Sequence, residues 1–143
     1  MHGWMGQMLR VDLTTRTWRR EPFDEEYALK WIGGRGFAVK ILYDELRPGI
    51  DPLGPENKLV VAVGPISGIS APNTGKTVVA AKSPMTGGYG DGNLGTRVTE
   101  KLRRAGFDAL IIEGKADRPT LLYIDDDKVE FLPADEVWGQ GTY

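Results

Sequence analysis

The 143-residue sequence predicts a single α+β domain, spanning residues 1–143 and rich in antiparallel sheet, and three observations carry that prediction. Its apolar runs are short and bounded by glycine and proline, as strands are. Candidate hairpins stand at both ends, in LRVDLTTRTWRRE and in LLYIDDDKVEFL. Few stretches between them show helical periodicity, so strands do not alternate with helices as a doubly wound sheet requires. About seven short strands and roughly three or four helices follow from this patterning.

In chain order, Met8, Leu9, Val11 and Leu13 give a partly alternating strand, and TTRT turns it into a partner from Trp18 to Glu21. Asp24 before EEYALKWI is a helix N-cap followed by first-turn carboxylates. The glycines of GGRG stop that helix before FAVKILYDEL begins another, with Phe37, Ile41 and Leu42 on one face. RPGIDPLGPEN carries Pro48, Pro52 and Pro55 and has to be an extended connection. KLVVAVG is a continuous apolar run of the kind buried in a sheet. A second loop, GPISGISAPNTG, leads to the strand TVVAAK. Then come a glycine loop, the helix GTRVTEKLRRAG with Gly106 as its stop, the strand DALIIEG and the second hairpin. PADEVWG reads as the start of a further helix.

Composition excludes several functions. The formal charge is −2, with acidic and basic residues mixed, so no field exists to hold nucleic acid by its phosphates. There is no cysteine, so the chain holds neither a disulfide nor an iron–sulfur cluster of its own. His2 is the only histidine and reads as incidental. No apolar run approaches the roughly 18 residues that cross a bilayer, and the N-terminus lacks a secretion signal, so a cytoplasmic location is expected. Asp125, Asp126 and Asp127 read as a hairpin turn. Arg103 and Arg104 read as a solvated helix end, and the four tryptophans as core.

The glycine loop is the informative stretch. Five glycines fall between Gly87 and Gly95. Gly90-Asp91-Gly92-Asn93-Leu94-Gly95 matches G-x-G-x-x-G, with Glu113 about 20 residues on, which is the spacing of a dinucleotide fingerprint. That motif needs its first glycine directly after a strand, however, and SPMTGGY separates Lys82 from Gly90. Gly75-Lys76-Thr77 likewise resembles the end of a P-loop but precedes a strand rather than a helix. Two readings of the glycines stay open: turns that need positive φ, with Asp91 a turn residue, or a backbone left bare for an anionic ligand beside Lys76 and the following helix.

The stretch SAPNTGKTVVAAKSPMTGGYGDGNLGT, with GRGFAVKILYDEL and IDPLGPENKLVVAVGPISG before it and AGFDALIIEGKADRPTLLYIDDDKVE after it, resembles the N-terminal domain of the tungsten-containing aldehyde:ferredoxin oxidoreductases. The likeness runs from Trp4 to Gly139. GGYGDGNLGT and the lysine of TGK are most similar to the formaldehyde-oxidising branch, since the aldehyde branch carries arginine at the place of Lys76. The resemblance implies a β-saddle fold and a bis-pterin tungsten (or molybdenum) cofactor, whose metal is held by pterin dithiolenes and whose phosphates are bridged by magnesium. It assigns Lys76, Asn93, Leu94, Gly95 and Thr96 to cofactor binding, with the Asn93 backbone carbonyl at the magnesium. No catalytic side chain falls in this stretch. The resemblance also implies a longer protein, with a 4Fe-4S cluster and further domains outside this sequence, ferredoxin as partner and a homo-oligomeric state. Two alternatives stand beside it: a non-catalytic scaffold subunit of a redox complex, and a nucleotide-binding module using Gly90–Gly95.

Overall fold

The computed structural model describes residues 2–69 and 71–141. Among these, the chain forms strands β1 (Gln7–Asp12), β2 (Thr17–Pro22), β3 (Lys58–Val63), β4 (Lys76–Lys82), β5 (Tyr89–Gly95), β6 (Ala109–Glu113), β7 (Thr120–Asp125) and β8 (Lys128–Pro133). Helices α1 (Glu25–Trp31) and α2 (Arg35–Glu45) lie between β2 and β3, and α3 (Val98–Arg104) between β5 and β6. The α+β expectation holds. Six strands form one sheet in the order β2-β1-β6-β3-β4-β5, antiparallel throughout except for β1 against β6, and β7–β8 form a separate hairpin.

Both faces of the large sheet are covered, which explains why Met8, Leu9, Arg10 and Val11 are buried in succession. Alternate residues feed two cores. On one face Phe37, Ile41 and Leu42 of α2 pack on Met8, Val60 and Val78. On the other, Leu102 of α3 and Val129 of β8 pack on Leu9, Val11 and Leu110.

The local signals act as expected at the helix ends. Asp24 Oδ1 accepts the Tyr27 N–H at 2.8 Å. The GGRG stretch does more than stop α1. A Cβ on Gly36 would lie 1.9 Å from the Trp31 carbonyl oxygen and one on Gly33 2.7 Å from that of Val63, so glycine lets the α1–α2 junction sit against main chain. Gly106 takes φ 91° after α3. It donates to Arg103 C=O at 3.0 Å, while Phe107 donates to Leu102 C=O at 3.1 Å, a Schellman closure with both apolar partners in the core.

Three expectations change. The glycine loop is largely a strand, β5, which raises the strand count. PADEVWG forms one turn, with Val137 and Trp138 donating to Ala134 C=O, and no helix. Trp4 and Trp31 pack on the core, but Trp18 is partly and Trp138 well exposed. The Asp125–Asp127 turn stands as expected, closed by Asp126 at φ 50° between β7 and β8.

Arg10 is a charge in the core that the alternating pattern does not announce. It donates to Glu21 at 2.7 Å and to both oxygens of Glu45 at 2.7 and 2.8 Å, and reaches Glu113 at 3.1 Å. Lys58 adds contacts to Glu45 at 3.3 Å and to Glu113. Burial pushes the Glu21 carboxyl up, but the hydrogen bond and charge of Arg10 outweigh it and hold the group below its ordinary 4.5. Burial likewise opposes ionisation of Glu113, and Lys58 with Arg10 brings it below that value. Groups lowered on folding contribute stability that is present above 4.5 and lost as pH falls through their folded values. Acid titration is therefore expected to lower the unfolding midpoint of the protein progressively below about pH 4.5. A midpoint that stays flat through that window, followed by circular dichroism, contradicts the network.

Candidate functional site

β5 is the edge of the sheet, paired without interruption to β4 from Lys76↔Gly95 to Lys82↔Tyr89. Within Gly87–Gly95 only Gly87 has positive φ, so turn geometry does not account for the other glycines. Gly90 has an internal reason, since its Cβ would meet Ser83 Cβ at 3.0 Å. Gly92 and Gly95 have none: a Cβ on either finds no atom of the chain within 4 Å. An edge strand bare of side chains yet free of internal crowding leaves room for something from outside.

The hairpin also settles which backbone groups face outward. Ser83 donates to Gly88 C=O at 2.7 Å, and hydrogen-bonded pairs alternate along an antiparallel ladder. In this register the alternation turns the N–H and C=O groups of Tyr89, Asp91, Asn93 and Gly95 away from β4, toward the open edge. Side chains divide by the same period. Asn93 lies opposite Val78 on the α2 side, and Leu94 opposite Thr77 on the α3 side.

At the Gly95 end of this edge lies a cleft of about 570 Å³. Its lining brings together Lys76, Gly95 and Thr96, three of the five residues named from the sequence, with Arg97, Glu100 and Arg104 opposite Gly68 and Gly75. Asn93 and Leu94 lie outside the lining, on β5 next to it. Charge in the cleft is positive on balance. Arg104 pairs with Glu100 at 2.5 Å, while Lys76 and Arg97 have no carboxylate partner among the described residues.

Several contacts hold the walls. Arg35, at the start of α2, clasps Asp91 Oδ2 through two nitrogens at 2.7 Å, which makes Asp91 a strand anchor and corrects its reading as a turn residue. Thr77 and Thr99, both fully buried, hydrogen-bond each other between β4 and α3, and Thr99 donates to Gly75 C=O at 3.0 Å. Arg103 is no solvated helix end. It pairs with the buried Asp108 at 2.6 Å and donates to Gly3 C=O at 2.9 Å, while Met5 and Gly6 N–H bond the other Asp108 oxygen. Burial pushes the Asp108 carboxyl up, and the Gly6 amide and Arg103 act against that shift.

The competing motif readings lose their geometry. Gly90–Gly95 lies wholly inside β5, so no strand-to-helix turn exists for a dinucleotide pyrophosphate. Gly75-Lys76-Thr77 enters a strand. The helix expected from Gly95 begins only at Val98, because Thr96 and Arg97 carry the chain from the sheet edge onto the α3 side; Thr96 Oγ1 already accepts the Val98 N–H at 3.2 Å. Arg97 is the residue that sequence reasoning missed. Its signal was a cation at a helix start, where the dipole disfavours it. No three His, Asp or Glu converge as a metal site among the described residues, and none of their helices is long and apolar enough to cross a membrane.

Fold and edge together define the class: an α+β domain presenting a glycine-bared sheet edge above a cationic cleft. The family described as aldehyde ferredoxin oxidoreductase, N-terminal domain, matches residues 8–143, and the chain belongs to it. It is 49% identical to the tungsten-containing aldehyde ferredoxin oxidoreductase of Pyrococcus abyssi and 44% identical to that of Pyrococcus furiosus, each over 140 residues. Those alignments cover 98% of this chain and 23% of each relative. The WOR-like subunit of the aliphatic sulfonate oxidoreductase of Pyrococcus furiosus is 38% identical over 99% of this chain and 23% of its own length. Among solved structures, the active-site complex BamBC of benzoyl coenzyme A reductase, in complex with 1,5-dienoyl-CoA, matches with a TM-score of 0.93 at 34% identity. That match covers 96% of this chain and 21% of the other. This chain thus spans about a quarter of the length of these relatives.

Proposed function

We propose that this chain is the part of a tungsten (or molybdenum) aldehyde:ferredoxin oxidoreductase that binds the bis-pterin cofactor. The observation that carries the reading is the edge of β5, where Gly92 and Gly95 are bare for no reason internal to the chain. A broad, flat ligand with anionic phosphates fits such an edge, because Cβ atoms there would hold it off. Gly95 lets the ligand reach the backbone, and Leu94 and Thr96 flank it. The Asn93 carbonyl, directed to the open edge by the ladder alternation, suits magnesium, which takes oxygen ligands and keeps phosphates in its shell. Lys76 and Arg97 supply the countercharge.

Bound there, the tungsten pterin supplies the two-electron oxidation of an aldehyde to a carboxylic acid, while this chain's residues bind and orient it. With no cysteine in the sequence, the 4Fe-4S cluster that takes the electrons toward ferredoxin belongs to the remaining domains of a homo-oligomeric, cytoplasmic enzyme. Relatives named for aldehyde, sulfonate and benzoyl-CoA share this domain, so the substrate pocket lies with those other parts.

Elemental analysis of the full-length protein, purified anaerobically, tests the reading. Near-stoichiometric tungsten or molybdenum is expected; intact protein devoid of both supports a scaffold subunit instead. Within the cleft, Lys76→Ala is expected to weaken cofactor retention by roughly tenfold, the scale of one charge-assisted hydrogen bond, and Lys76→Arg to preserve it. Equal metal content in Lys76→Ala and wild type after dialysis counts against Lys76 as a ligand.

A further inference from the structure

We infer that Thr77 and Thr99 are positioning residues for the cofactor cleft, forming a one-way hydroxyl relay that ends on the Gly75 carbonyl and sets Lys76 against Gly95. This rests on the cofactor reading given above. Both threonines are fully buried, Thr77 in β4 and Thr99 in the first turn of α3. A hydroxyl carries one proton. Thr99 spends its own on Gly75 C=O at 3.0 Å, so the Thr77–Thr99 bond has Thr77 as donor. The order of donation is therefore Thr77 to Thr99 to Gly75.

The end of the relay lies at the cleft. Gly75 and Lys76 line it, and the peptide joining them is held by the carbonyl that Thr99 grips. Thr99 lies between Arg97 and Glu100, which line the facing wall, so one side chain fixes the wall and the lip relative to each other. The same interface is tight elsewhere, with a Cβ on Gly68 reaching Glu100 Cα at 3.3 Å. Two valines would pack in the same volume without desolvating any hydroxyl. Buried hydroxyls at this seam instead specify one register of helix against strand.

Direction makes the relay testable. Thr99→Val removes the donor to Gly75 and strands Thr77 without an acceptor, whereas Thr77→Val costs the relay only its first link. In the full-length enzyme, Thr99→Val is expected to lose tungsten and pterin about tenfold faster on dialysis, Thr77→Val measurably less, and Thr99→Ser at the wild-type rate. Pterin is read as the fluorescence of its oxidised form and tungsten by elemental analysis, with thermal midpoints recorded alongside. Wild-type retention in Thr99→Val overturns the positioning role, as does loss in Thr99→Ser equal to that in Thr99→Val. So does a fall in midpoint without faster cofactor loss. Gly95→Val is the control for the underlying reading: if it too keeps its cofactor the cleft itself is misassigned, and if it alone loses cofactor only the relay fails.

Discussion

Gly95→Val in the full-length protein is expected to give a folded enzyme without its tungsten. In the sequence, Gly95 closes a glycine loop open to two readings, positive-φ turns or backbone bared for a ligand, so valine there would be both a strain and an obstruction. In the structure Gly95 closes β5, has no positive φ, and has open space where a Cβ would point. Valine suits a strand, so the folding cost is expected to stay within about 0.5 kcal/mol. What valine removes is the approach of an external group to the backbone. The expected result is a wild-type thermal midpoint with tungsten near zero by elemental analysis. Wild-type metal content would falsify the placement of the cofactor on this edge. Gly36→Ala sharpens the contrast, because there the Cβ collides with the Trp31 carbonyl oxygen at 1.9 Å and the protein itself should suffer.

Arg10→Met should be the most damaging single change of charge. The substitution leaves three carboxylates, Glu21, Glu45 and Glu113, gathered around an apolar side chain, with Lys58 and Arg19 as the cations still in reach. Breaking a buried ion pair costs about 3–5 kcal/mol, and the low end applies because Glu21 and Glu45 keep some access to water. The pH dependence is the sharper test. In the wild type Arg10 keeps Glu21 below 4.5, and Lys58 together with Arg10 keeps Glu113 there, so acid weakens the fold. Without Arg10 less opposes the burial that pushes these carboxyls up, at Glu21 above all, since Lys58 still holds Glu113, so acid costs the variant less than it costs the wild type. The midpoints of wild type and Arg10→Met are expected to converge on acidification. A gap that widens in acid means that Arg10 does not set those carboxylates.

Much of this was legible in order along the chain. Asp24, the GGRG break, the buried run KLVVAVG and the Gly106 stop each act locally, through a cap, a glycine conformation or a period, and each is where the residues put it. The misreadings share a cause. DGNLG reads as loop from its glycines, yet pairing with β4 along its whole length holds it extended. Arg103 reads as solvated because a basic residue in the last turn of a helix needs no partner; the Gly106 closure turns the chain so that Asp108 meets it. Trp138 reads as core from its size, but the turn that carries it sits at the surface.

The sequence by itself determined most of the element order, the α+β class, the absence of cysteine ligands, and the gathering of five glycines between Gly87 and Gly95, because these follow from residue identity and short spacing. Only the tertiary structure decided that this bare backbone is a sheet edge and that Lys76 faces Gly95 across it. It alone brings Arg97 into the cleft lining and joins Thr77 of β4 to Thr99 of α3 behind Gly75, which lines that cleft. The physical reason is that strand pairing and helix docking set distances between residues about 20 positions apart, and no local propensity carries that information.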